Sequence, residues 1–336
     1  MNDFEVLDLG ASVLEQGVVL PGASLAYKLY GSPNAAKSNA ILLCSYAAGT
    51  HKGYEYLIGP GRCFDTDLYF VISTNLFGSG LSSSPSNTAP PFNGAFFPRV
   101  TIRDNVRAQY KLLHDVLGVR ELVAVAGYSM GAQQAFQWAV SHPDMVQRIV
   151  AWCGHAHTTP HTKAFLGGMS AVVKLDSEFK GGQYTEKPVR ALRAAARVYA
   201  GWGFSQEWYA KELFRDLGYV SLDDFIIRFL EDRFLRRDPN DYLCHVDTWY
   251  THNVGDTEGF DGAYRKALES IRCPALVMPG QTDLYFPTAD AAEECEYIKH
   301  AILKPIPSIW GHFAGMGINP SDNEFIDTAI KSFLKS

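Results

Sequence analysis

The chain has 336 residues, 47% of them hydrophobic and 20% charged, with a formal net charge of −6. That length suits one large α/β domain with an insertion, and the charge leaves no basic footprint for nucleic acid. No stretch approaches about eighteen consecutive apolar residues, and the acidic start Met1-Asn2-Asp3-Phe4-Glu5 is unlike a secretory signal, so a cytoplasmic protein without a membrane anchor is expected.

The first thirty residues alternate and break at glycines, which predicts an antiparallel start to a sheet. Ala40-Ile41-Leu42-Leu43-Cys44 is a continuous apolar run, as expected of a strand covered on both faces. Leu68–Ser73 is the next strand, and the Gly/Ser/Pro-rich stretch from Asn75 to Pro91 reads as a long surface loop. A helix is predicted from Ile102 to Leu117, with Gly118 as its stop. Leu122–Ala126 is a buried strand and Ala132–Val140 a helix, with Gly127-Tyr128-Ser129-Met130-Gly131 between them.

Gly-x-Ser-x-Gly between a strand and a helix is the pattern of a nucleophile elbow. The turn is tight enough that the residues two before and two after the serine must lack side chains, and Gly127 and Gly131 meet that demand. It raises the Ser129 hydroxyl above the sheet edge and leaves the Met130 N–H at a helix start, free to face an oxyanion. A second donor is expected from the loop after the Ala40–Cys44 strand, near Tyr46 and Ala47.

Beyond the elbow, Ile149–Cys153 is another buried strand, and strands alternating with helices imply a doubly wound, mostly parallel sheet. Between Thr159 and Ala267 the chain turns helical, amphipathic and rich in aromatics, without buried-strand runs. Residues 159–267 therefore read as an inserted helical lid, and residues 1–158 and 268–336 as the core. Pro274–Pro279 and Ala301–Ile306 complete the sheet, and a terminal helix is predicted to start at Ser321 with Glu324 closing a capping box.

A serine hydroxyl needs a base, and the base needs a carboxylate to hold its tautomer. With the chain order nucleophile, acid, histidine, Asp283 after the Pro274–Pro279 strand is the acid, and Asp290 the alternative a helical turn later. His312 follows the last strand and is the base, whereas His300 precedes that strand at the other end of the sheet. His155, His157 and His161 contain a His-x-His spacing that can bind zinc, but no acidic cluster accompanies them and no metal is assigned. Neither a Walker A sequence nor a Gly-x-Gly-x-x-Gly after a strand occurs, so the chemistry is expected to need no cofactor. The six cysteines, Cys44, Cys63, Cys153, Cys244, Cys273 and Cys295, lack Cys-x-x-Cys spacing and read as reduced thiols.

Taken with Ile58-Gly59-Pro60-Gly61, Phe64-Asp65-Thr66-Asp67, Asp144-Met145-Val146 and Arg237-Asp238-Pro239-Asn240-Asp241-Tyr242-Leu243, these motifs resemble the homoserine O-acetyltransferase family of α/β-hydrolase-fold enzymes over most of the chain. The resemblance implies an α/β-hydrolase fold, a Ser129, Asp283 and His312 triad, and a homodimer formed through the lid. Homoserine-using members carry an aspartate directly after the catalytic histidine and a tyrosine seven residues after a lid arginine. Here the arginine position is Arg197, but the other two are Phe313 and Phe204. Phenylalanine offers a buried ammonium no partner. The pattern is closer to the hydrolases of this family, including some that act on carrier thioesters. The leading expectation is thus an acyl hydrolase for an ester or thioester, possible substrates including carrier- or CoA-linked ones, with Arg197, Phe204, Phe313 and Tyr128 lining the substrate site. The alternatives are an acyl-CoA-dependent O-acyltransferase for an alcohol other than homoserine, and a silent binding module.

Overall fold

The computed structural model describes residues 3–336. Eight strands form one sheet: β1 (Glu5–Val13), β2 (Val19–Tyr30), β3 (Ala40–Cys44), β4 (Phe70–Thr74), β5 (Leu122–Tyr128), β6 (Ile149–Trp152), β7 (Ala275–Met278) and β8 (Ala301–Leu303). They run in the order β1-β2-β4-β3-β5-β6-β7-β8. β1 and β2 pair antiparallel, β2 meets β4 antiparallel, and every pairing from β4 to β8 is parallel. β3, β4, β6 and β7 are buried at every residue, which is why β3, β6 and β7 read as unbroken apolar runs and β4 as one up to Ile72.

Successive residues face opposite layers. Leu42, Ile72, Val125 and Ile149 pack toward α1 (Ile102–Tyr110) and α2 (Met130–Ser141), while Ile41, Val71, Ala126 and Val150 belong with Ile326 and Ile330. Between β6 and β7 lie α3 (Pro160–Lys174), α4 (Val189–Gly203), α5 (Gln206–Ala210), α6 (Leu222–Phe225), a π-helical segment Ile226–Glu231, α7 (Asp232–Leu235), α8 (Pro239–Tyr250) and α9 (Tyr264–Glu269). α10 (Thr288–Glu296) and α11 (Pro320–Lys335) follow the last strands.

Three local expectations are corrected. The stretch after β4 is not a surface loop throughout: Asn75, Leu76, Phe77, Ser82, Ser83 and Ser84 are buried. Its own polar side chains make that possible, since Asn75 Nδ2 donates to the Ala26 carbonyl, Ser82 Oγ to the Asn75 carbonyl, and Ser83 Oγ accepts from the Ser24 N–H. The last strand ends at Leu303, and beyond Pro305 only Ile306 rejoins the sheet, as a single bridge to Gly280. α11 begins at Pro320 with Asn319 as its cap and no side-chain capping bond, so the Ser321 capping box does not form. Proline already has the backbone angle of a first helical turn and lacks the N–H that a cap would satisfy.

Candidate active site

β5 ends at Tyr128 and α2 begins at Met130, so Ser129 alone makes the turn, with φ 57° and ψ −123°. A non-glycine residue holds that conformation only where its surroundings over-determine it. Here the Ser129 N–H donates to the Trp152 carbonyl of β6 at 3.0 Å, and the Ser129 carbonyl accepts from Ala132 at 2.9 Å. The flanking glycines follow from sterics: a Cβ on Gly127 would sit 2.2 Å from the Gly131 carbonyl carbon, and one on Gly131 would sit 2.2 Å from the Cys44 oxygen.

The loop after β7 carries Asp283. Its Oδ1 accepts the Tyr285 and Phe286 N–H groups at 2.8 and 3.2 Å, which aims Oδ2 at His312 Nδ1, 2.6 Å away. With Nδ1–H donated to Asp283, the other ring nitrogen is left as an acceptor, and Nε2 lies 3.0 Å from Ser129 Oγ. His312 sits on the short helical turn Gly311–Gly315, and its carbonyl accepts the Tyr128 hydroxyl at 2.8 Å. Ser129, Asp283 and His312 are all buried, so the chain Asp283–His312–Ser129 is formed away from bulk water. Asp290 lies in the first turn of α10, and the carboxylate at the imidazole is that of Asp283.

Tyr46 and Ala47 line one cavity with Ser129 and His312, and Met130 follows Ser129 as the first residue of α2. The Tyr46 loop is tied down at several points. Ser45 N–H donates to the Thr74 carbonyl, the Ser45 carbonyl accepts Gln134 Nε2, and the Ala48 N–H donates to His245 Nδ1 at 3.1 Å. His245 Nε2 in turn lies 3.1 Å from the Phe77 carbonyl, to which it donates. Burial, with the nearby Arg237 charge adding to it, pushes the His245 pKa down to about 4. His245 is therefore neutral near pH 7, and its Nδ1 is able to accept the hydrogen bond from the Ala48 N–H.

The cavity holds about 70 Å³ and is walled by Tyr46, Phe165, Tyr199, Trp249, Tyr285 and Phe313, with Tyr128 beside the nucleophile. Arg233 and Arg237 also reach it. Arg197 and Phe204 are not in its wall, which corrects their expected placement. Arg197 is half exposed and donates through Nε to the buried Glu231 carboxylate at 2.8 Å, which draws it away from the cavity. Phe204 lies behind Phe313, the two rings stacked at 4.1 Å and 7°. The two phenylalanines flagged in the sequence are thus direct neighbours, one in the wall and one backing it.

The three histidines after β6 diverge. His155 is buried edge-on to Phe286, His157 pairs with Glu294 at 2.9 Å and stacks on Tyr264, and His161 lies against Trp202. His245, Arg233, Arg237 and Tyr285 are site residues that the sequence reading missed. The Arg237–Leu243 motif contains Arg237 and stops two residues short of His245, so it was the available pointer.

Residues 41–316 match the alpha/beta hydrolase fold family. The ethyl acetate hydrolase of Pseudomonas veronii is 35% identical, over 99% of this chain and 96% of its own length. The crystal structure of an acetylester hydrolase from Corynebacterium glutamicum superposes with a TM-score of 0.96 at 36% identity, covering 99% of this chain and 96% of that one. The homoserine O-acetyltransferase of Symbiobacterium thermophilum is 32% identical over 96% of this chain and 91% of its own length.

Proposed function

The chain belongs to the alpha/beta hydrolase fold family, in the branch that holds both esterases and homoserine O-acetyltransferases, and from that premise we propose that it is a serine esterase releasing short acyl groups, acetyl above all, from an alcohol. The observation that carries the reading is His312 set between Asp283 and Ser129 at 2.6 and 3.0 Å in the wall of a small aromatic cavity. Ser129 Oγ attacks the carbonyl carbon as His312 Nε2 takes its proton, and Asp283 stabilises the imidazolium that results. The Met130 N–H and an N–H of the Tyr46–Ala47 loop receive the oxyanion. Collapse breaks the carbon–oxygen ester bond, and His312 passes its proton to the departing alcohol. Water then repeats the attack on the acyl-serine and frees the acid. A thioester, whether carried on CoA or on a protein, would follow the same steps.

A wall closed by Phe313 stacked on Phe204 favours water as acceptor over homoserine. The homoserine ammonium would need an anion there, and an uncompensated buried charge costs several kcal/mol, with each roughly 1.4 kcal/mol worth tenfold in specificity. Residues 159–267 act as the lid over this site. Exposed Val220, Leu222 and Ile227 on that lid support a homodimer formed through it.

Purified protein given acetyl-CoA and homoserine, with O-acetylhomoserine and free acetate both quantified beside an ethyl acetate reaction, decides between hydrolysis and transfer. Acetate from ethyl acetate is expected, with kcat/KM for homoserine at least about 10³-fold lower. Robust O-acetylhomoserine formation would establish the transferase instead.

A further inference from the structure

The cavity at Ser129 shares Ala48, Tyr242 and His245 with an adjacent, wider cleft of about 640 Å³, and Arg233 and Arg237 line both spaces. Their guanidinium groups rest on aromatic rings: Arg233 lies 5.1 Å from Phe229 and 5.9 Å from Phe313 of the cavity wall, and Arg237 lies 5.0 Å from Phe234 and 6.0 Å from Tyr242, both in that wall. Arg233 also lies 3.7 Å from the Met316 sulfur. Among the described residues neither forms an ion pair with a carboxylate, whereas neighbouring Arg236 is paired with Asp232. Aromatic faces attract a cation but accept little hydrogen bonding, so most of the five N–H donors on each guanidinium are left uncommitted.

The other charges of the cleft are already engaged. Lys187 Nζ donates to the Leu235 carbonyl at 3.0 Å. Asp238 accepts the Tyr184 hydroxyl at 2.6 Å and the Asn240 N–H at 2.8 Å. Asp241 accepts both the N–H and the hydroxyl of Ser86, at 2.9 and 2.6 Å. Burial pushes the Asp241 carboxyl up to about 6, and its two oxygens are turned to Ser86 and not to an arginine. Burial likewise draws the Arg237 guanidinium down to about 10, with Arg233 adding repulsion. Two half-buried cations that no carboxylate pairs with are an arrangement that a bound anion would relieve.

Size assigns the two parts of a substrate. The narrow space beside Ser129 suits a short acyl group, and the wider cleft must take what leaves. We propose that Arg233 and Arg237 form an anion subsite for the alcohol part, so that the preferred substrates are short-chain acyl esters of alcohols bearing a carboxylate or a phosphate. The proposal rests on the esterase reading and specifies its substrate class.

The test compares acetate release from 3-acetoxypropanoate, 2-acetoxyethyl phosphate and the neutral 3-acetoxypropanamide, with 4-nitrophenyl acetate as a common reference. One or both anionic esters should exceed the amide in kcat/KM by about tenfold or more, chiefly through KM, and the stronger of the two identifies the anion. That ratio should fall about fivefold or more in Arg233→Met and Arg237→Met, while Arg237→Lys, which keeps the charge, retains part of it. A wild-type ratio of one or less, or a preference surviving in both methionine variants, overturns the subsite. Failure of the wild type to hydrolyse 4-nitrophenyl acetate at all overturns the esterase reading, and the subsite with it.

Discussion

Around Ser129 the cavity wall is held by backbone geometry and buried hydrogen bonds, whereas the wall that residues 159–267 contribute is held by arginines resting on aromatic faces and by ring stacking that reaches Phe313 of the core. On the sheet side, one residue makes the strand-to-helix turn, Asp283 is fixed by two N–H groups, and a Cβ at Gly127 or Gly131 would collide with backbone. On the helical side, Phe204, Phe225 and Trp208 form a contiguous set of packed rings, and Phe204 stacks on Phe313 across to the core. The difference separates two tasks. Directional bonds fix where protons move, and non-directional packing sets what shape and charge the cavity accepts.

The comparison can be broken hardest on the sheet side. Asp283→Asn should lower kcat by about 10²–10⁴, because the amide favours the wrong imidazole tautomer, while near-ultraviolet circular dichroism keeps its native form. A comparable loss from Asp290→Asn, with Asp283→Asn close to wild type, would place the acid elsewhere.

His245 joins the two sides, since it comes from α8 and holds the Ala48 N–H of the Tyr46 loop. His245→Gln should reduce kcat by about tenfold, less than the roughly 10²–10³ expected when an oxyanion donor itself is lost. Its pH dependence follows from the depressed pKa. The unfolded chain, with an ordinary value of 6.5, takes up a proton before the folded one does at about 4. The stability His245 contributes is therefore complete above about pH 6.5 and is lost as pH falls toward 4. His142, also held near 4 by burial, acts in the same direction. Asp241, raised from 3.8 to about 6, acts oppositely: its contribution is present below 3.8 and is lost as pH rises through 6. Urea midpoints at pH 7 and pH 4.5 should therefore differ less in His245→Gln than in the wild type.

The smallest effect is expected at Arg197. Because it is half exposed and turned toward Glu231, Arg197→Gln should keep kcat/KM within roughly threefold, the range of a surface substitution. A loss of about 10²-fold would show that Arg197 swings into the cavity when substrate binds.

These placements also mark what the sequence could disclose. The elbow was legible because Gly127 and Gly131 answer a steric demand made within five residues, and Asp283 and His312 because they fall in the loops that follow the last two strands. The antiparallel start, the parallel strands and the strand-free stretch between β6 and β7 were legible from hydrophobic pattern alone. His245 was not, since the N–H it accepts lies 197 residues away in the chain and nothing in Cys244-His245-Val246 states that it will be buried. Arg197 was placed by resemblance, but its direction is set by Glu231, 34 residues on, through an ion pair that no local pattern announces. The loop after β4 was misread for a related reason: serine and asparagine signal exposure on average, yet here they satisfy the backbone that lets the loop be buried.

The central claim is that Ser129 becomes acylated during turnover, and labelling tests it most directly. Wild-type protein treated with a fluorophosphonate should gain one adduct, mapped by peptide mass spectrometry to the segment spanning Tyr128–Met130, and Ser129→Ala should gain none there. Equal labelling of the two proteins, or an adduct on another residue that alone abolishes esterase activity, would contradict the account.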